Sequence, residues 1–264
     1  MRRTVMCRMI MGIGLLSAAN VSIAGRPLNV NDIEPVEAGK WQIEAGGAYR
    51  HDSGCEHFDS PLSLAYGVVP GIDVGVGFGG QFEERAETHG PTCRENGLGD
   101  LTIYPRWKYL EQSRFLPGQA VSFTAKFPTA DHDKGLGSGA TDYDLTWIAS
   151  EKVGPRFQID ANLGYSWIGK PKDAEAADII HYGLALEYQL FEPVQWVGEV
   201  FVQQETTSHA ETAFQYNTGF RWAAWDGLTF DAAAGSRICG EAPDFTAMVG
   251  LTWVFGPEKK TESK

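Results

Sequence analysis

The amino-acid sequence predicts an all-β protein: a transmembrane, antiparallel up-and-down β-barrel of about twelve strands. Apolar and polar residues alternate with period two through most of the chain, which is typical of strands with one apolar and one polar face. The alternating segments are even in number, as single-chain outer-membrane barrels require, and each is long enough to cross a bilayer as a tilted strand. Short and long connections alternate between them, which also indicates a barrel.

The first 24 residues have the three parts of a cleaved secretory signal peptide. Arg2, Arg3 and Arg8 form a positive start, an apolar stretch follows over 10–19, and small residues precede a cleavage site after Ala24. The whole chain has a formal net charge of −12, and loss of the three arginines makes the mature chain more acidic. An acidic protein without a cluster of Lys and Arg is a poor binder of nucleic acid.

The mature chain divides into three parts. Residues 25–39 form a short polar segment that we expect in the periplasm, small enough to fold up into the barrel but too small to be a plug domain. Residues 40–255 form the barrel, and 256–264 form a charged periplasmic tail. After residue 24 no apolar run reaches the roughly 18 residues that a spanning helix needs. The mean hydropathy of −0.24 fits a barrel, because alternating polar and apolar residues average out.

Every predicted strand keeps one apolar, aromatic-rich face. A soluble β-sandwich of this size could not bury so much apolar surface, whereas a membrane barrel turns it toward lipid. Pro105 lies within the fourth strand and cannot donate a hydrogen bond to a neighbouring strand, so we predict a bulge there. The apolar residues that mark the twelve strands lie within Trp41–Tyr49, Leu62–Val68, Val74–Phe78, Leu101–Tyr109, Val121–Phe127, Tyr143–Trp147, Phe157–Trp167, Ile180–Tyr188, Trp196–Val202, Phe214–Trp222, Leu228–Ala234 and Phe245–Phe255, and each strand is predicted to span about 9–12 residues.

The connections divide by length between the two ends of the predicted barrel. Short periplasmic turns and long outer loops are the usual arrangement, and an even number of strands places both chain termini in the periplasm. The predicted turns cover 69–71, 111–119 (the longest of them), 151–155, 191–194 and 224–227. The predicted outer loops cover 51–60, 83–97, 128–141, 169–178, 205–212 and 237–244.

If the apolar face meets lipid, the polar face lines an enclosed lumen. Carboxylates outnumber cations among the charged residues on that face, and rings of carboxylates favour the passage of cations. The alternative is that these charges pair with each other and fill the interior, since buried charges are tolerated when they are paired. A barrel of this size permits an open or a plugged lumen. The predicted lumen-lining residues are Glu44, Asp73, Asp100, Arg106, Lys108, Lys126, Asp142, Asp144, Asp160, His181, Glu187, Glu199, Arg221 and Asp231.

Two sequences place Ser beside His, as a hydrolase would need: His51-Asp52-Ser53 and Ser208-His209. Both lie in predicted outer loops, and neither spacing sets a nucleophile, a base and an orienting residue on one strand face. His181 faces the lumen alone, whereas a metal site needs three or four converging ligands. We therefore predict no enzymatic activity, no metal and no cofactor.

Three cysteines remain in the mature chain: Cys55, Cys93 and Cys239. Export permits disulfides, and an odd count leaves one thiol unpaired. Cys55 and Cys93 lie in the first and second outer loops, which are neighbours, so we favour a disulfide between them. Barrel closure also brings Cys239 near Cys55, and that pairing is the alternative.

Four short motifs occur in order along the mature chain. They are Arg26-Pro27-Leu28 with Asn31-Asp32, Gly97-Leu98-Gly99-Asp100-Leu101, Lys126-Phe127-Pro128-Thr129, and Gly135-Leu136-Gly137-Ser138-Gly139 leading into Thr141-Asp142-Tyr143. In order and spacing they resemble the outer-membrane barrel family named for the MetA pathway of phenol degradation, over nearly the whole mature chain. The resemblance implies an uptake role without enzymatic activity, and it suggests aromatic or apolar cargo without fixing the substrate. The charged tail after Phe255 departs from barrels of this kind that end on an aromatic residue.

Together these observations predict a porin-like channel or uptake protein in the outer membrane of a Gram-negative bacterium. It would pass small molecules, aromatic compounds among them, through a narrow acidic lumen. The alternative is a structural or surface-binding barrel that transports nothing. The expected partners are outer-membrane lipids, a small-molecule solute and the barrel-assembly machinery, while the oligomeric state stays open.

Overall fold

A computed structural model describes residues 25–52, 55–85, 96–131, 139–169, 177–206, 212–240 and 242–257. Within these ranges no helix is long and apolar enough to cross a membrane. The strands are β1 (Trp41–Asp52), β2 (Cys55–Val69), β3 (Ile72–Arg85), β4 (Asn96–Leu98), β5 (Leu101–Leu110), β6 (Gly118–Phe127), β7 (Asp142–Val153), β8 (Phe157–Trp167), β9 (Ile179–Phe191), β10 (Val194–Glu205), β11 (Thr212–Trp225), β12 (Leu228–Gly240) and β13 (Phe245–Phe255).

The strands form one closed antiparallel barrel, which confirms the predicted fold. Each long strand pairs with the next along the chain, and β1 pairs with β13 from Trp41↔Phe255 to His51↔Phe245. The three-residue strand β4 pairs with β3 at residues 80–82, whereas β5 pairs with the same edge of β3 at residues 72–77. The wall therefore has the predicted twelve strands, with β4 as a short addition at its rim.

The alternation of the sequence separates the two faces of the wall. In β8, for example, Ile159 and Leu163 are exposed, whereas Asp160 and Asn162 are 1% and 5% exposed. Large exposed apolar side chains and buried carboxylates or amides recur in the same way along the other strands. An apolar exterior around a polar interior is the arrangement of a barrel that crosses lipid.

The first predicted outer loop, over 51–60, is instead mostly strand, because β1 continues to Asp52 and β2 begins at Cys55. Arg50 and Asp59 form an ion pair across this extension at 2.6 Å, and the Tyr49 hydroxyl donates to Glu56 at 2.9 Å. Such cross-strand pairs stabilise a hairpin. The predicted loop over 237–244 is shortened in the same way, since β12 continues to Gly240.

The predicted bulge at Pro105 is wrong. Pro105 pairs in register with Val74, and the offset between β5 and β6 is the same on both sides of it. The missing N–H leaves Tyr104 and Pro105 without partners in β6, so the ladder has a gap but no extra residue. The register shifts further along the strand, between Lys108 and Leu110.

Several predictions concern residues outside the described ranges. The signal peptide, the tail beyond residue 257, Ser53, the pair Ser208-His209 and Cys93 all belong to this group. The Cys55–Cys93 disulfide therefore stays a prediction. Cys239 is exposed and carries a free thiol, so the alternative pairing of Cys239 is not formed in this structure.

Candidate functional site: the barrel interior

Residues 25–36 run through the interior of the barrel, a position that the small size of the segment 25–39 allowed. Val30, Ile33 and Val36 are 2%, 4% and 1% exposed, which is the burial of a protein core. We call residues 25–36 the plug segment. Val30 clusters with Ala185 and Phe201 of the wall, with Leu28 packed against them, and Ile33 clusters with Ala120 and Ile148.

Glu199 of β10 holds the middle of the plug segment by its backbone. Its carboxylate accepts the backbone N–H groups of Asn29 and Val30, both at 2.8 Å, and the side-chain amide of Asn29 at 2.8 Å. Asn217 of β11 donates a further hydrogen bond at 2.6 Å. Hydrogen bonds to an ionised acceptor are about twice as strong as neutral ones, so Glu199 is a main anchor of the segment.

Uncharged and charged side chains of other strands continue this backbone recognition. Asn162 of β8 accepts the N–H of Asn31 and donates to its carbonyl, both at 2.8 Å. Ser150 Oγ accepts the backbone N–H of Ile33 at 3.1 Å, and Asp73 Oδ2 accepts the backbone N–H of Val36 at 2.8 Å. The wall thus satisfies backbone groups of a segment that has no strand partner of its own there.

Arg26 fixes the beginning of the plug segment. Its guanidinium lies 3.4 Å from the Asp231 carboxylate and donates to the Val249 carbonyl at 3.1 Å. The guanidinium rests on Gly46 and Gly250, which are register partners in β1 and β13, and a Cβ on either glycine would collide with it. The two glycines therefore provide the space in which Arg26 reaches Asp231.

Two buried cations connect the wall to itself and to the plug segment. Arg221 pairs with Glu187 at 2.6 Å and donates from Nε to the Arg26 carbonyl at 2.6 Å. Arg106 pairs with Asp73 at 2.8 Å. Each cation thus neutralises a wall carboxylate that would be costly to bury alone.

Asp32 is the most perturbed carboxyl of the plug segment. It is 4% exposed, lies 4.0 Å from Arg106 and accepts the backbone N–H of Glu34 at 2.7 Å. Burial raises the pKa of Asp32 to about 7, against the opposing effect of Arg106, and the charge of Glu187 adds to the rise. The docked segment therefore binds a proton near neutral pH that the free segment would release.

The remaining predicted lumen residues also have partners in the interior. His181 and Asp144 form a pair at 2.7 Å, on which the hydroxyls of Thr146 and Ser166 converge. Two buried carboxylate oxygens lack a hydrogen-bond partner among the described residues: one belongs to Asp73 and one to Asp160. The other pairs are Lys108 with Glu34 at 2.8 Å, Lys126 with Asp142 and with Asp100 at 3.7 Å, Glu44 with Gln42 at 2.9 Å, and Asp160 with Ser150 and with Gln158 at 2.9 Å. The charged residues predicted for the lumen thus bond cations, polar side chains or the plug segment, whose specific contacts the sequence did not indicate.

A cavity of about 660 Å³ lies beside the plug segment, against the wall formed by β1, β2, β3, β5 and β6. Arg26 and Asn31 of the segment line one side of it, together with Arg106. Small or hydroxylated side chains line much of the rest, with the ring of Tyr104 among them. They include Ser63, Ala65, Gly77, Thr102, Ser122 and Thr124.

Solved structures share this fold at low sequence identity. An outer-membrane channel from Pseudomonas putida F1 superimposes with a TM-score of 0.69 at 14% identity, covering 86% of this chain and 100% of the channel. The NanC porin gives 0.60 at 10% identity, with 80% and 98% covered. The KdgM porin, in complex with disordered oligogalacturonate, gives 0.58 at 9% identity, with 81% and 99% covered. These similarities establish the fold only.

Sequence comparison identifies the family directly. No curated protein matches the chain. The family model described as "Putative MetA-pathway of phenol degradation" matches residues 24–255, which is the predicted barrel together with the plug segment. The chain therefore belongs to this family, as its motifs predicted.

Proposed function

We propose that the protein is an outer-membrane channel for small molecules, and that its plug segment closes the path in the state described. A closed barrel with an apolar exterior and a polar interior supports a membrane location. The observation that carries the proposal is the plug segment itself, which enters the barrel and is held there by non-covalent contacts alone.

Passage would require the plug segment to leave or to shift. A net hydrogen bond to a charged group contributes about 1.5–3 kcal/mol, so the segment is held by several contacts that are each weak compared with a covalent bond. Without the segment, the Glu199 carboxylate would face water and solute. The predicted acidic lumen would then be a property of the open state, in which the wall carboxylates have lost the backbone groups that they bind when closed.

Small aromatic compounds with a hydroxyl group are the cargo that we propose. The family description supports this class. The cavity supports it as well, because the Tyr104 ring offers an aromatic face among hydroxyl groups that can bond a phenol-like solute. A long hydrocarbon would meet too many polar groups there.

A barrel that transports nothing is the second candidate, and the dense contacts of the plug segment with the wall favour it. Liposome flux decides between the two candidates. Deletion of residues 27–36 should raise the flux of phenol and the single-channel conductance by at least about tenfold, since an emptied barrel of this size permits a lumen. Deletion of 258–264 is the control. If neither the full chain nor the deletion variant passes any solute, the channel proposal is wrong.

A further inference from the structure

Three cations of the described chain differ from all the others. Eleven Lys and Arg side chains are described, and eight of them form an ion pair with a carboxylate. Arg114, Lys152 and Arg156 form none among the described residues, and all three are exposed. In a protein with a net charge of −12, unpaired cations that lie together mark a surface able to attract anions.

These cations lie at two neighbouring turns at the end of the barrel where β1 begins and β13 ends. Arg114 is in the turn between β5 and β6, while Lys152 is the penultimate residue of β7, next to the turn that carries Arg156. Gln112 joins the two turns, because its side chain donates to the Lys152 carbonyl at 3.1 Å and accepts the Lys152 N–H at 2.8 Å. The three cations therefore belong to one rim surface.

Apolar side chains stand beside these cations. Phe115 and Leu116 are 86% and 54% exposed, and the Arg114 guanidinium lies 5.5 Å from the centre of the Phe115 ring. Ser113 Oγ accepts the Leu116 N–H at 3.2 Å, which holds the turn in this shape. Exposed apolar residues next to cations are the composition of surfaces that sit at the boundary between lipid tails and headgroups.

We infer that Arg114, Phe115, Leu116, Lys152 and Arg156, the rim patch, bind the phosphate groups of anionic phospholipids in the leaflet at this end of the barrel. Two observations favour lipid over a protein partner. The patch lies at the end of strands whose outer face exposes Phe123, Leu145 and Trp147, and its three cations outnumber the carboxylates Glu111 and Glu151 on the same segments, which favours the negative headgroup phosphates. The inference rests on the membrane location proposed above, but not on transport.

Lipid retention tests the rim patch. The protein is reconstituted in vesicles of equal parts phosphatidylglycerol and phosphatidylcholine and extracted in mild detergent, and the lipids bound per barrel are counted by mass spectrometry. We expect the wild type to retain phosphatidylglycerol preferentially. Each cation near an anionic surface contributes up to about fivefold, so the variant R114Q/K152Q/R156Q should lose most of this preference. R114Q alone should lose part of it.

Two controls make the result specific. R50Q/R237Q removes two cations at the opposite end and should retain the wild-type preference. F115S/L116S should lower the total lipid retained while the ratio of the two lipids stays unchanged. A wild-type protein without preference, or a triple variant that keeps it, would overturn the inference. Heat-dependent gel mobility verifies that each variant is folded, and the conductance assay tests the channel proposal separately.

Discussion

Two parts of the barrel wall treat the plug segment differently. The strands β7 to β12 present Asn162, Glu199 and Arg221, whose side chains bond the backbone of the segment directly. The strands β1 to β6 hold it mainly near the end at which β1 begins, through Asp73 and the β5 cations, and leave a cavity over much of the rest. Both parts have the same alternation of outward apolar and inward polar residues.

The difference lies in the size and chemistry of the inward side chains. Asn162 and Glu199 bond backbone groups of the segment, whereas Ser63, Gly77 and Thr124 line the cavity. One half therefore docks the plug segment, and the other half leaves room for a solute. Four predictions follow from this contrast, in decreasing order of effect.

Glu199→Gln should weaken docking most. The amide puts a donor where the carboxylate accepts backbone N–H groups, which we expect to cost roughly 3 kcal/mol of docking free energy. Limited proteolysis should then cut the plug segment more than about fiftyfold faster, since 1.4 kcal/mol is a factor of ten. Glu44→Gln on the cavity side is the matched control and should speed cleavage far less, because among the described residues Glu44 hydrogen-bonds the wall side chains Gln42 and Ser63 and interacts with the plug segment through the charge of Arg26. Equal cleavage of both variants would contradict the contrast between the two halves.

Raising the pH from about 4 to 7 should loosen the plug segment by at least about tenfold. The pKa of Asp32 is about 7 when docked, so in this range the docked state holds a proton that the undocked state, with an ordinary Asp pKa, has lost. Docking is therefore strongest at low pH, weakens as the pH rises toward 7, and changes no further above it. Asp32→Asn should remove this part of the pH dependence of docking. The measurement is open probability against pH, and a D32N profile identical to that of the wild type would refute the assignment.

Arg26→Lys should weaken docking moderately, by roughly 1–2 kcal/mol, because an ammonium cannot bond Asp231 and the Val249 carbonyl as a planar fork does. Gly250→Ala should have a similar effect by displacing the guanidinium, and the two changes together should be less than additive. Cleavage rates of the plug segment measure both. Additive effects would mean that Gly250 does not act through Arg26.

Thr124→Trp should reduce solute flux a few-fold without affecting docking. The larger side chain fills part of the cavity, and among the described residues Thr124 forms no hydrogen bond with the plug segment. Flux of phenol into liposomes and the rate of segment cleavage should respond separately. If the cleavage rate changes as much as the flux, the cavity and the docking half are not independent.

Much of the wall was predictable from the sequence, whereas the contacts of the plug segment were not. Period-two alternation identified the barrel strands and the inward charged residues such as Asp160 and Glu187, because a strand's faces follow from spacing alone. Residues 25–36 lack that alternation. They are bound mainly through backbone N–H groups, which every residue except proline has. No pattern of side chains in the sequence therefore predicts these contacts. The apolar residues Val30, Ile33 and Val36 in an otherwise polar stretch were the available signal.

The misplaced boundaries have a related cause. The first hairpin extends past its predicted end through the pair Arg50–Asp59, and Pro105 opens a gap where a bulge was predicted. Both outcomes depend on which residues of the neighbouring strand lie opposite. Register is a long-range property that spacing within one segment does not contain.

Reversible cross-linking tests the central claim, that the plug segment lies against β9 and closes the barrel, most directly. Val30 and Ala185 belong to one buried cluster, so the pair V30C/A185C should form a disulfide on oxidation. Phenol flux should fall to background in the oxidised protein and return on reduction, while the wild type, with its own cysteines treated identically, shows no such change. Oxidised protein that passes phenol as fast as reduced protein, with the cross-link verified by mass spectrometry, would contradict the claim.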